Sequence, residues 1–230
     1  MITIIVPILN EAETIERLIS HLLVMASPSS ISEIIIVDGG STDGSQGCVK
    51  GIKNEKLILI HSEKGRAKQM NAGAKLATGK VLYFLHADSY PPANYDALIL
   101  NEINKNNLAG CFKMKFDNSH WWLHLASYLT HFSWRACRGG DQSQFITTAL
   151  FFELEGFNED FIIYEDNDLI NKLYARKQFV VIQEWLTTSA RRYEKNGIWK
   201  LQYYFWAIYV KKWRGASADE LYQYYKKNIA

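Results

Sequence analysis

Only three cysteines occur in the 230 residues, Cys48, Cys111 and Cys137. An odd count with no C-x-x-C spacing excludes a disulfide framework and a cysteine-built zinc site, so a reducing cytosol is the expected compartment. No apolar run approaches the roughly 18 residues that span a bilayer, and no basic segment precedes the apolar start, so neither a spanning helix nor a secretory signal is expected. Charge of one sign is also scarce. A balance of 26 Lys and Arg against 24 Asp and Glu gives +2 at pH 7, which does not favour a nucleic-acid partner. Internal repeats, low-complexity tracts and linkers are absent. What remains is an ordinary globular composition, 48% hydrophobic and 22% charged, long enough for one domain with a proper core. Its aromatic residues gather late, in WWLHLASYLTHFSW and WKLQYYFWAIYVKKW.

Four short apolar runs alternate with helical segments over about the first hundred residues. ITIIVP reads as a strand stopped by Pro7, and Asn10 as the N-cap of a helix with Glu13 at the capping-box position. EIIIVD, Glu33 to Asp38, is a second strand and leads into the glycine-rich turn GGSTDGS. KLILIHSE is a third, and KVLYFLHAD, closed by Pro91 and Pro92, a fourth. Strands apolar on both faces and separated by helices predict a parallel α/β sheet. Beyond it the pattern is less regular: a helix from about Pro92, strands at GCFKMKF, FITTALFFEL and FVVIQEW, an acidic helix start at YEDNDL, and two C-terminal helices.

Ligands of open α/β sheets bind at the carboxyl ends of the strands. Asp38, Asp88 and the pair Glu165 and Asp166 would converge there, and gathered carboxylates suit a hard cation. Taken singly, Asp38 and Asp88 read equally well as turn residues, and Glu165, Asp166 and Asp168 as acids matched to a helix dipole. The turn DGGSTDGS offers backbone N–H groups that would cradle phosphate, yet matches neither G-x-G-x-x-G nor a P-loop. Arg66, Lys68, Gln69 and Asn71 bring donors to the next helix start, although a solvated face is the commoner meaning of such a pattern. Arg191 and Arg192 follow a strand, where guanidinium groups suit a diphosphate. His61, His120, His124 and His131 have no ligand spacing and read as structural or surface groups.

In this order, VPILNEAETI, IIIVDGGSTDGS, KGRAKQMNAGAKLATGKVLYFLHADS and YEDNDL resemble the inverting family-2 glycosyltransferases across essentially the whole chain. HADS, GGDQSQF and TSARRYEKNG further resemble a bacterial subgroup labelled arsenosugar-biosynthesis or selenodomain-associated glycosyltransferases. The resemblance implies a GT-A fold: a single mixed, mostly parallel sheet flanked by helices. It implies one domain over 1–230, with a nucleotide-binding half at 1–105, an acceptor half at 106–195 and C-terminal helices at 196–230.

The same resemblance implies residue roles. Pro7, Asn10, Glu11, Asp38, Gly39, Arg66, Gln69 and Asn71 would line the nucleotide site, for UDP before GDP. Asp88 would stand where the last Asp of a D-x-D motif binds Mg²⁺ or Mn²⁺, with His86 in place of the first. Asp166, supported by Glu165, would be the general base. Asp141 and Gln142 would border the donor sugar or the acceptor, and Arg191 and Arg192 would close over the diphosphate. The implied partners are a nucleoside-diphosphate sugar and an acceptor the sequence does not name, acting in the cytoplasm or at the inner membrane face.

Competing readings are a nucleotidyltransferase, a catalytically silent nucleotide-sugar sensor and a membrane-surface protein. PILNEAE, acidic where a nucleotidyltransferase carries a basic residue, counts against the first. Asp166 counts against the second. The third rests on residues 198–213, aromatic with Lys211 and Lys212 at the end, for which packing on the core or a dimer contact is the competing account.

Overall fold

The computed structural model describes residues 1–139 and 142–229. Strands β1 (Ile2–Ile8), β2 (Ile31–Asp38), β3 (Leu57–His61), β4 (Val81–Phe84), β5 (Ser89–Tyr90), β6 (Ala109–Phe116), β7 (Gln144–Thr147) and β8 (Val180–Thr188) form one sheet among the described residues. Their order is β3-β2-β1-β4-β7-β6-β8-β5. The first four run parallel, β7 is antiparallel to both β4 and β6, β6 and β8 are parallel, and β5 closes antiparallel on β8.

Every residue of β1 is buried, because the strand is flanked by β2 and β4 and covered on both faces. Ile4 and Val6 face one core layer with Ile34, Ile36, Tyr83 and Phe145. Against it pack α1 (Ile15–Met25), α4 (Tyr95–Asn104), α9 (Ile198–Trp213) and α10 (Ala218–Asn228). Ile5, Ile35, Val37, Leu82, Phe84 and Ile146 face the other, beneath α3 (Arg66–Leu76), α6 (Thr148–Glu153) and α7 (Glu165–Ala175). α3 lies close because Gly73 has no side chain; a Cβ there would stand 2.7 Å from Ile5 Cγ2. The remaining helices are α2 (Ser45–Gly51), α5 (Trp121–Leu129) and α8 (Arg191–Asn196).

Several boundaries differ from the sequence expectation. Pro7 does not end β1, which continues to Ile8 in register with Asp38. Asn10 does not cap a helix: its φ is +57°, its side chain accepts from Thr42 N, and α1 begins after Thr14. β3 is an edge strand, only partly buried. β4 stops at Phe84, and His86 to Ser89 form a tight turn closed by Ser89 N donating to His86 O. FITTALFFEL is half strand and half helix, since Thr147 caps α6 by accepting from Leu150 N. Three helices, α8, α9 and α10, follow β8 rather than two.

Candidate active site

From β1 the chain moves outward to β2 and β3, whereas β4 lies on the other side of β1. The crevice beyond the ends of β1 and β4 is therefore the topological switch point, where ligands of open α/β sheets bind. Glu11 rises from the loop after β1, and Asp88 from the turn after β4. Arg191, the first residue of α8, reaches both. Its Nη1 and Nη2 lie 2.8 and 2.5 Å from the Glu11 carboxylate oxygens, and its Nε lies 3.1 Å from Asp88 Oδ2. Backbone bonds fix this meeting: Ser189 N donates to Asp88 O, and Arg191 N to Ser189 Oγ. The Glu11 and Asp88 contacts hold the Arg191 guanidinium above its usual pKa, the Glu11 hydrogen bonds contributing most.

A second cross-link joins the two halves of the chain. Arg66 Nε on α3 stands 2.8 Å from Oε1 of Glu165 at the start of α7. The pair is close but poorly aligned for a hydrogen bond, and Glu165 is fully buried. Asp166 follows on the same helix turn, also buried. Adjacent helical positions point about 100° apart, so the two acids do not share a direction.

Asp38, at the end of β2, has no exposed surface. Gly40 N, Ser41 N and Gln46 Nε2 donate to its carboxylate, at 2.8 Å for Gln46. Burial pushes its pKa up, but these hydrogen bonds outweigh it and hold the carboxyl below its usual value. Two N–H groups of the glycine-rich loop, those of Gly40 and Ser41, are thereby turned onto Asp38. Gly39 N donates to Ile8 O, Thr42 N to Asn10 Oδ1 and Ser45 N to Asp43 Oδ1, so side chains of the loop and the end of β1 engage these three N–H groups. Asn10 N and Ala12 N donate to Ser41 Oγ and Asp43 Oδ2 in return, tying the loops after β1 and β2 together.

Other expected nucleotide ligands are also used inside the fold. Gln69 Nε2 donates to Ile8 O and Val37 O, clamping the ends of β1 and β2, and its side chain fills the space that Gly39 leaves without a Cβ. Asn71 donates to Phe157 O and Glu159 Oε1 and accepts from Phe157 N. Pro7 lies buried in β1. Gln142 Oε1 accepts from Arg138 Nη1, and its Nε2 donates to Cys137 O. Asp141 falls outside the described residues. Arg192 turns away from Asp88: Nη2 donates to Tyr225 Oη, and the guanidinium lies over Phe205 and Tyr225. The expected arginine pair is therefore a single arginine at the cleft, because consecutive residues of α8 face different ways.

Two residues passed over in the sequence are placed near the site. His61 ends β3 beside Asp38, Nδ1 to Oδ2 3.4 Å, with its ring largely exposed. The parallel ends of EIIIVD and KLILIH were the signal, since both strands stop in register. Gln144 begins β7 opposite Phe84, on the face carrying α3 and α7. It is buried, and neither its amide nitrogen nor its oxygen has a hydrogen-bond partner. A polar residue opening onto the apolar pair Phe145 and Ile146 was its only mark in the sequence.

Among the described residues no group of three or more His, Cys, Asp and Glu is placed to hold a metal ion. His86 and Asp88 do not make a self-sufficient centre. A Mg²⁺-type ion bound mainly by substrate phosphates needs only one or two carboxylates, and Asp88, with 18% of its side chain exposed at the crevice, fits that smaller part.

The sequence profile of Glycosyl transferase family 2 matches residues 3–175. The chain belongs to this family. A glycosyltransferase, AglE, of Haloferax volcanii is 28% identical over 94 residues, 39% of this chain and 31% of the relative. An undecaprenyl-phosphate 4-deoxy-4-formamido-L-arabinose transferase of Aeromonas hydrophila is 24% identical over 152 residues, 63% of this chain and 46% of that protein. The chain thus spans under half of the length of these relatives. Among solved structures, the mannosyltransferase PcManGT of Pyrobaculum calidifontis, in complex with GDP-Man and Mn²⁺, superposes with a TM-score of 0.68 at 20% identity, covering 96% of this chain and 66% of that one. S. aureus TarS 1-349 in complex with UDP gives 0.66 at 20% identity, covering 82% and 60%. The mixed, mostly parallel sheet flanked by helices is the GT-A fold expected from the sequence.

Proposed function

We propose that this chain transfers a sugar from a nucleoside-diphosphate donor, UDP before GDP, to an acceptor hydroxyl with inversion at the anomeric carbon. The observation that carries the proposal is the chain of contacts Glu11, Arg191, Asp88 at the switch point of a family-2 fold. The donor would lie over the ends of β1, β2 and β4, with the loop after β1 and His61 beside its base and Arg191 beside its diphosphate. Asp38 would act through the loop it organises. Asp166 would accept the acceptor's proton as the new C–O bond forms and the bond to the diphosphate breaks. Arg191 would offset charge developing on that leaving group. A Mg²⁺ or Mn²⁺ ion, held by Asp88 with His86 nearby, would add further charge neutralisation there.

Supporting this reading, the solved relatives of the same fold carry UDP in one case and GDP-Man with Mn²⁺ in another. On the HADS, GGDQSQF and TSARRYEKNG segments we further propose that the chain falls in the arsenosugar-biosynthesis or selenodomain-associated subgroup. The test is calorimetric titration of UDP, GDP, CDP and TDP, with and without Mn²⁺, into the native protein and Asp88→Ala. The expected result is one preferred nucleotide whose binding weakens without Mn²⁺ and in the variant. Absence of binding by all four would end the proposal.

A further inference from the structure

α9 has two opposed faces. Leu201 and Ile208 are buried, whereas Trp199, Tyr203, Trp206, Val210 and Trp213 are exposed, Trp213 by 85%. At about 100° per residue these five fall within about 40° of one line along the helix, with Leu201 and Ile208 diametrically opposite. α5 repeats the pattern. Leu123 is buried, while Trp121, Leu125 and Tyr128 are exposed at spacings of four and three. The two helices are neighbours, for Trp199 lies 5.7 Å from Trp121 and 5.2 Å from Trp122, ring to ring.

We propose that this joint α5 and α9 face docks on an anionic lipid surface. Core packing, the simpler account of the aromatic segment, is used up by Leu201 and Ile208 and leaves the opposite stripe in solvent. The stripe is rich in Trp and Tyr, whose amphipathic rings settle at the headgroup boundary. Neither helix carries an acidic residue, and Lys200 and Arg214 flank the stripe, exposed, while Lys211 lies over the Tyr224 ring of α10 near Glu220. That charge suits anionic headgroups. In a two-fold dimer through the same face, these cations would meet their own copies with no carboxylate on either helix to pair with them.

The location bears on the reaction, and this step rests on the transferase reading above. α9 touches the helix that carries Asp166: Tyr209 Oη lies 3.5 Å from Asn167 Oδ1, and the Tyr209 ring 5.8 Å from that of Tyr164. A protein seated on this face would hold the proposed base beside the membrane surface. The acceptor class that fits is a hydroxyl or phosphate group on a membrane-anchored carrier.

The experiment is co-sedimentation with phosphatidylcholine vesicles with and without phosphatidylglycerol, using the wild type and a Trp121→Ser, Trp199→Ser, Trp213→Ser triple variant. Brominated lipids and analytical ultracentrifugation are run in parallel. The wild type should partition to the anionic vesicles with quenched tryptophan fluorescence, and the triple variant should partition on the order of tenfold less. Equal partitioning of both proteins, or no partitioning of the wild type to the anionic vesicles, would overturn the proposal, and a concentration-dependent doubling of mass would then assign the face to a dimer. Nucleotide titration of both proteins separates the two readings: unchanged nucleotide affinity in the variant shows an intact fold. Vesicle binding by a wild type that binds no nucleotide would support the surface and remove the transferase reading alone.

Discussion

The Nε of Arg191 lies 3.1 Å from Oδ2 of Asp88, so the carboxylate expected to meet a divalent cation already meets a guanidinium. The same arginine is forked onto Glu11. One positive group thus serves two acids at the switch point, and a metal ion approaching Asp88 competes with it. Under the proposed function, Arg191 would both offset charge on the leaving diphosphate and weaken ion binding in the absence of nucleotide.

Replacing Arg191 by Ala should therefore tighten Mn²⁺ binding to the nucleotide-free protein, on the order of three- to tenfold for a partly solvated pair, while weakening nucleoside-diphosphate binding. Calorimetry with Mn²⁺ alone, then with nucleotide, reads the two effects separately. Unchanged Mn²⁺ affinity would show that Asp88 and the ion do not compete with the arginine.

Glu165 and Asp166 are neighbours in sequence with different surroundings, and their variants should separate. Glu165→Gln removes the charge partner of Arg66 at a fully buried site and should cost about 1–3 kcal/mol of stability, discounted because a third of the Arg66 side chain is exposed. Asp166→Asn, nearly equal in shape, should reduce turnover by about 10²–10⁴-fold. Equal stability losses with equal residual turnover would assign no separate base.

What the sequence made legible follows from where each signal resides. β1 and β2 were plain because a strand covered on both faces is apolar at nearly every position, as Ile2 to Ile8 are except at Thr3. The motif after β4 was visible as residue types, but not the turn that stops the strand at Phe84. The Arg191 contact to Glu11 spans 180 positions, and no local pattern encodes which of two adjacent arginines faces the cleft. Gln69, Asn71 and the glycine-rich loop were legible in the sequence only as groups of donors. Their donors are of the type that binds phosphate or base, and the fold uses them first to hold strand ends and loops together. The aromatic segment was recognised as such, yet its two-sided burial and its alliance with α5 exist only in three dimensions.

The Asp38 carboxyl lies below its usual pKa, so it contributes stability that is fully present above the unfolded value near 3.8 and is lost as pH falls through the lower folded value. Asp38→Asn should melt at lower temperature than the wild type by a constant margin from neutral pH down to about pH 5, and that margin should shrink on further acidification. Thermal melts across this range are the check. A margin that persisted unchanged through the acid range would show that the loop is not held by the ionised form.

Gln144 supplies the sharpest contrast between stability and activity. Its amide is buried on the α3 and α7 face with both polar atoms unpartnered, and burying such a group without hydrogen bonds costs about 1–3 kcal/mol. Folding alone does not account for that cost, whereas a sugar hydroxyl placed between β4 and α7 would supply the missing donor and acceptor. Gln144→Leu, close in volume and free of polar atoms, should raise stability by up to about 2 kcal/mol. The same change should reduce turnover with the cognate sugar donor while leaving the affinity for the free nucleoside diphosphate unaltered, because in the proposed donor pose the base and phosphates would lie over the ends of β1 and β2, away from Gln144. Denaturant unfolding, nucleotide titration and donor turnover on the one variant make the test. A destabilised variant with normal turnover would place Gln144 in the core and free the sugar site for other residues.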